Sequence, residues 1–128
     1  MTFSILDTII KGGTFKTEMH EFSLTQNILE LALQHAGAKK ILHVNLLIGQ
    51  LSDEREDSIR FYWDDLAKGT IAQGATLHFQ YVDAEMKCLE CRTVFHPREE
   101  TTLCPSCQSH RLTLLSGDDV KIESIDVE

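Results

Sequence analysis

The sequence predicts an α+β fold: a small β-sheet with two helices on one face and a four-cysteine module inserted into it. Three observations carry that expectation. Leu24, Ile28, Leu31, Ala32 and His35 recur at helical spacing, as do Ile59, Tyr62, Trp63 and Leu66. Apolar residues alternate with others over 41–49, 77–81 and 120–127, the pattern of half-buried strands. Between the second and third of those strands, the four cysteines stand as two C-x-x-C pairs. Two amphipathic helices covering one side of a small sheet is the economical arrangement.

Residues 1–18 form a separate block, broken at Gly12-Gly13, whose pattern points to no element. The first helix is expected from Ser23, whose hydroxyl and the amide of Gln26 make a capping box. Gly37 is its left-handed stop. In the following strand Leu42, Val44, Leu46 and Ile48 form one apolar face, and His43, Asn45 and Leu47 the other. Asp53 with Glu56 opens the second helix, and Gly69 ends it. The cluster Asp53, Glu54, Glu56 and Asp57 is read as a solvated first turn favoured by the helix dipole, not as a site. Leu77, Phe79 and Tyr81 mark the second strand after Gly74. In the last strand Val120 and Ile122 are out of phase with Ile125 and Val127, which a bulge at Glu123-Ser124 would reconcile. The expected organisation is an extension over 1–18, an α+β domain over 19–85 and 116–128, and the cysteine module over 86–115.

The 128 residues are 42% apolar, enough for a real core, and carry a net charge of −8. That balance argues against nucleic acid, whose binding depends on neutralising phosphates. No apolar run reaches the roughly 18 residues of a membrane span, and the first residues lack the basic flank of a signal peptide. The expectation is a cytoplasmic protein, in which four cysteines favour metal or redox chemistry over disulfides.

Cys88-Leu-Glu-Cys91 and Cys104-Pro-Ser-Cys107 are separated by twelve residues. Each pair is a tight knuckle able to aim two thiolates at one ion, and two knuckles supply the four soft ligands of tetrahedral zinc. The intervening segment is too short and polar for a core of its own, so metal must supply much of its folding free energy. Rubredoxin-like iron and two independent redox pairs are the rival readings. His96 and His110 are close enough in sequence to exchange with a thiolate, and are otherwise solvated loop histidines. A closed tetrathiolate is structural and implies no catalysis. Residues 86–115 carry four basic side chains against three acidic ones, with no aromatic set beyond Phe95. No Ser/His/Asp set, phosphate loop or paired-acid arrangement stands out, and no catalytic residue is expected.

Four stretches together carry a resemblance: M-H-E-F-S-L at 19–24, I-G-Q-L-S at 48–52, the cysteine pairs, and S-G-D-D-V-K-I-E-S-I-D-V-E at 116–128. From Met19 onward the chain resembles the HypA/HybF family, nickel-insertion accessory proteins of nickel–iron hydrogenase maturation. The resemblance implies a metallochaperone, not an enzyme, that holds Ni(II) at His20, with Glu21 beside it, and passes it on. Ni(II) accepts square-planar nitrogen coordination, and a backbone amide between an amine and an imidazole closes small chelate rings around it. It also implies a HypB-type GTPase and the hydrogenase large-subunit precursor as partners, and a link to urease. A monomer or a homodimer is expected. Two departures accompany it. Residues 1–18 precede the triplet, so Met19 has no free amine; the preferred account is that translation begins at Met19. The family's acids after the I-G motif are replaced by Gln50 and Arg55, which are left out of the site. The alternative function is a zinc-ribbon adaptor that binds protein or RNA and moves no nickel.

Overall fold

The computed structural model describes residues 1–5, 9–10, 18–98 and 102–128, and of 9–10 and 18–20 the backbone alone. The elements are β1 (Thr2–Ser4), β2 (Ile9–Ile10), α1 (Glu18–Ala36), β3 (Ile41–Gly49), α2 (Glu56–Leu66), β4 (Thr76–Val82), β5 (Glu85–Cys88), β6 (Val94–Phe95), β7 (Leu112–Ser116) and β8 (Val120–Val127). The main sheet has the order β1-β8-β3-β4, with β2 also on β8. β3 runs parallel to β4 and antiparallel to β8. The parallel pair needs a crossover, and α2 provides it. The cysteine segment builds a second sheet, β6-β5-β7, which the sequence pattern does not announce.

One face of the main sheet is apolar. Val44, Leu46 and Ile48 of β3, Leu77 of β4, and Val120, Ile122, Ile125 and Val127 of β8 are all buried. Against them pack Leu24, Ile28, Ala32 and Ala36 of α1 and Ile59 and Trp63 of α2. The expected bulge in β8 is present. Asn45 faces Ser124 while Leu46 faces Ile122, which leaves Glu123 as the extra residue and turns both apolar phases inward. A second irregularity, between Ile41 and His43, corrects the reading of Leu42: it lies outside the ladder and is 38% exposed. Tyr81 is also turned out to solvent, at 58% exposure, where its hydroxyl donates to Glu56 at 2.8 Å.

Both helix starts differ from expectation. α1 begins at Glu18, so Ser23 lies inside it and caps nothing. Glu21, in the first turn, favours the earlier start through the helix dipole. α2 begins at Glu56, after Arg55 in extended backbone with no side-chain cap, and Asp53 precedes it. A Glu56–Arg60 ion pair at 2.9 Å stabilises that first turn instead. Gly37 has the left-handed stop conformation, φ +64°.

The extension is not featureless. β1 adds to the edge of β8, with Thr2 opposite Asp126 and Ser4 opposite Ser124. The Met1 ammonium donates to the Val127 carbonyl at 2.9 Å, and the Val127 N–H returns a bond to Met1 O at 2.8 Å. Ile5 enters the core at 4% exposure. An exposed strand edge offers unpaired backbone groups, and a short strand with one apolar side chain suffices to take them.

Two glycines join the halves of the molecule. A Cβ on Gly49 would lie 2.3 Å from the Gly117 carbonyl carbon, and one on Gly117 would lie 2.4 Å from Ala84 Cα. The I-G-Q and S-G-D segments therefore touch through backbone. Around them Leu51 N–H donates to Gly117 O at 2.7 Å, and Gly49 N–H to Asp119 O at 2.8 Å.

Candidate metal centre

The two C-x-x-C segments fold alike. In the first, Cys88 N–H donates to Thr93 O and Arg92 N–H to Cys88 O, at 2.9 and 3.0 Å. In the second, Cys104 N–H donates to Ser109 O and Gln108 N–H to Cys104 O, both at 2.9 Å. Each knuckle closes on a residue of positive φ, Arg92 at 64° and Gln108 at 62°. Backbone N–H groups then point at sulfur: Cys91 N to Cys88 Sγ at 3.5 Å, and Ser106 N to Cys104 Sγ at 3.4 Å.

The knuckles bring all four sulfurs within 4.8 Å of one another. Cys88 Sγ lies 3.5 Å from Cys107 Sγ, and Cys91 Sγ 3.5 Å from Cys104 Sγ. Tetrahedral zinc with bonds of about 2.3 Å requires sulfur separations of roughly 3.8 Å, so the quartet fits one ion. This convergence is the arrangement of a single metal site, not of two separate redox pairs. Cys88 and Cys104 are buried, and Cys91 and Cys107 face solvent.

The thiols are unequal. The Thr93 hydroxyl and N–H, with help from sulfur neighbours, bring Cys91 down to about 6. The Cys91 N–H is the main influence that lowers Cys88. Cys107 is pushed up to about 12: the Ser109 N–H favours its thiolate, but Cys88, burial, Cys91 and Cys104 together outweigh it. Four thiolates cannot share this space without a positive counter-charge, which a divalent ion supplies.

His96 and His110 do not join the quartet. His96 Nδ1 instead lies 3.0 Å from the Ala84 carbonyl, where the module meets the main sheet. Gln50, which the sequence offered only as a departure, sits at the same junction. Its Oε1 accepts from Ala84 N–H at 2.8 Å, and its Nε2 donates to Pro97 O at 3.3 Å. An acid there could accept the first bond but could not donate the second. No local pattern could have shown this, because the partners lie 34 and 47 residues away.

Around the Met-His-Glu triplet, the backbone of Met19 and His20 lies in the first turn of α1. Helix geometry leaves the first four N–H groups without intrahelical acceptors. The His20 side chain lies outside the described residues. Glu21 is half-buried, and its Oε2 is shut from solvent with no hydrogen-bond partner among the described residues. A buried carboxylate oxygen without a donor is costly, and a cation is one remedy.

An α+β domain bearing a four-cysteine ribbon defines the class: a small metal-binding protein. Residues 19–127 match a family model described as hydrogenase/urease nickel incorporation, metallochaperone, hypA. The chain belongs to this HypA family. Among its relatives, hydrogenase maturation factor HybF of Salmonella typhimurium is 39% identical over 113 residues, spanning 86% of this chain and 100% of that one. Hydrogenase maturation factor HypA of Caldanaerobacter subterraneus subsp. tengcongensis is 37% identical over 114 residues, with 86% and 100% coverage. The solution structure of the Ni metallochaperone HypA from Helicobacter pylori shares the fold, with TM-score 0.64 at 21% identity over 84% of this chain and 96% of that one. The family comprises maturation factors and metallochaperones, not enzymes. Among the described residues, no helix is long and apolar enough to cross a membrane.

Proposed function

We propose that this protein takes up Ni(II) at the Met19-His20-Glu21 segment and hands it to the large-subunit precursor of a nickel–iron hydrogenase, with urease a second client. His20 supplies imidazole, and Glu21 supplies the carboxylate oxygen that has no partner among the described residues. The observation that carries the reading is the coincidence of two things at one place. The family match begins at Met19, and two residues on, Glu21 Oε2 is shut from solvent with no donor among the described residues. The amine of residue 1 is tied to Val127 and is not available to this site.

Cys88, Cys91, Cys104 and Cys107 would hold zinc permanently. When bound, zinc supplies the folding free energy of the ribbon and no chemistry of transfer. The chain's own contribution is the pair of knuckles, the N–H groups aimed at sulfur, and the Gln50 and His96 contacts that seat the ribbon. A labile terminal site with few ligands suits a cargo ion, whereas a closed thiolate cage does not. A HypB-type GTPase in the cytoplasm is the matching partner, and the chain acts as a monomer or homodimer.

Calorimetric titration of Ni(II) into the zinc-loaded chain, and into a chain starting at Met19, tests the reading. Loss of one equivalent of micromolar binding on His20→Ala, in either chain, upholds it. Binding indifferent to His20→Ala in both leaves a zinc-ribbon adaptor.

A further inference from the structure

The face of the main sheet opposite the helices holds a histidine pair that nothing above uses. Because Val44, Leu46 and Ile48 point to the core, His43 and Asn45 point the other way. On β4, buried Leu77 likewise puts His78 on the outer face. The parallel register sets Asn45 beside His78 and His43 beside Thr76, so the two histidines meet on the diagonal. His43 Nδ1 lies 2.9 Å from His78 Nε2, with ring centroids 5.0 Å apart and planes tilted by 41°.

A mutual hydrogen bond between a half-buried and an exposed imidazole at the surface gains little, because water can offer the rings the same kind of partner. The separation has a second meaning. Two bonds of about 2.05 Å to nitrogens 2.9 Å apart subtend roughly 90° at a shared ion. That is the cis angle of square-planar or tetragonal coordination, which Ni(II) and Cu(II) favour with nitrogen ligands.

We propose that His43 and His78 form an open binding site for a divalent ion of the Ni(II)/Cu(II) class on this outer face. The nitrogens face one another and must swing toward the ion on the soft χ2 torsion of histidine. The proton between the rings moves to the far nitrogen of its own ring, so uptake releases none.

The neighbours fit a cation. Asp126, opposite His43 on β8, is held below the usual carboxylate range, chiefly by the Thr2 hydroxyl. Its negative charge faces the pair without ligating. Among the described residues, the cysteine quartet is the one group of three or more ligating side chains, so water completes this shell. Two protein ligands and an open face make the site labile. It stands on β3 and β4 and is independent of His20.

The test uses the full zinc-loaded chain carrying His20→Ala, so that the proposed terminal site is silent. Ni(II), and separately Cu(II), is titrated at pH 7.5 by calorimetry, while nitrogen-correlated NMR follows the imidazole rings. The expected result is about one equivalent bound, with the His43 and His78 rings responding together and ahead of His35, His96 and His110. His78→Asn, at an exposed position, and His43→Asn each weaken binding at least about tenfold, since losing even an outer-shell group costs that much. Unaltered melting curves show that both variants fold. Silent rings, or an affinity that His78→Asn leaves unchanged, overturn the site and leave the pair a hydrogen bond only. Neither result depends on whether wild-type His20 binds nickel.

Discussion

Gly117→Ala probes the joint between the two sheets. Gly117 sits at φ +104°, beyond the narrow left-handed well that other residues enter. Holding alanine there costs about 1–3 kcal/mol. Its methyl would also lie 2.4 Å from Ala84 Cα and 2.7 Å from Ala84 Cβ. Relieving that overlap moves backbone on both sides, and overpacking of this kind costs about 1–3 kcal/mol more. The sum is about 2–6 kcal/mol, a fall of roughly 1–3 M in the urea midpoint for a slope near 2 kcal/mol/M. Gly37→Ala is the control. It shares a positive φ, +64°, but nothing lies within 4 Å of the added methyl. That substitution costs only the left-handed strain, about 1–2 kcal/mol. Urea unfolding of both variants, followed by Trp63 fluorescence, separates strain from contact. Equal midpoints for the two, or a Gly117→Ala midpoint within about 0.3 M of the parent, would refute the view that Gly117 is fixed by its approach to Ala84.

Three further outcomes follow from the same structure. Ile5→Ala should cost about 2 kcal/mol of β1 docking. Exchange of the Val127 amide, which donates to Met1 O, should then speed up ~30-fold while Gly49 is unchanged; an unaltered Val127 rate counts against docking. Stripping metal with a chelator should remove on the order of 10 kcal/mol from the ribbon, collapsing amide dispersion over residues 85–116 but not in β3, β4 and β8; a ribbon that stays dispersed without metal refutes it. The Asp126 carboxyl is lowered first by the Thr2 hydroxyl, with Asn45, His43 and the amino terminus adding to it. A depressed carboxyl contributes stability above the unfolded value of about 3.9, and that contribution disappears as pH falls through the lower folded value. Thr2→Val should raise the Asp126 midpoint, read by carbon NMR, toward about 3.9; an unmoved midpoint assigns the shift elsewhere.

Much of this architecture was legible in the residues alone, because its causes are local. Alternation over Ile41–Gly49 and Val120–Val127 located β3 and β8 to the residue, and the phase break at Glu123 announced its bulge. The cysteine spacing alone specified two knuckles able to share one ion, since both have the same four-residue span. Other features needed the folded chain. Leu42 looked like core until the irregularity between Ile41 and His43 turned it outward, and Ser23 looked like a cap until α1 extended past it. Residues 1–18 had no readable pattern because β1 is stabilised by the β8 edge, not by its own sequence. Gln50 acquired a role only when Ala84 and Pro97 came within reach of its amide. The His43–His78 pair depends on a parallel register between strands that share no turn. Periodicity and ligand spacing are written along the backbone; contacts between distant segments are set by register and close approach, which exist only once the core has formed.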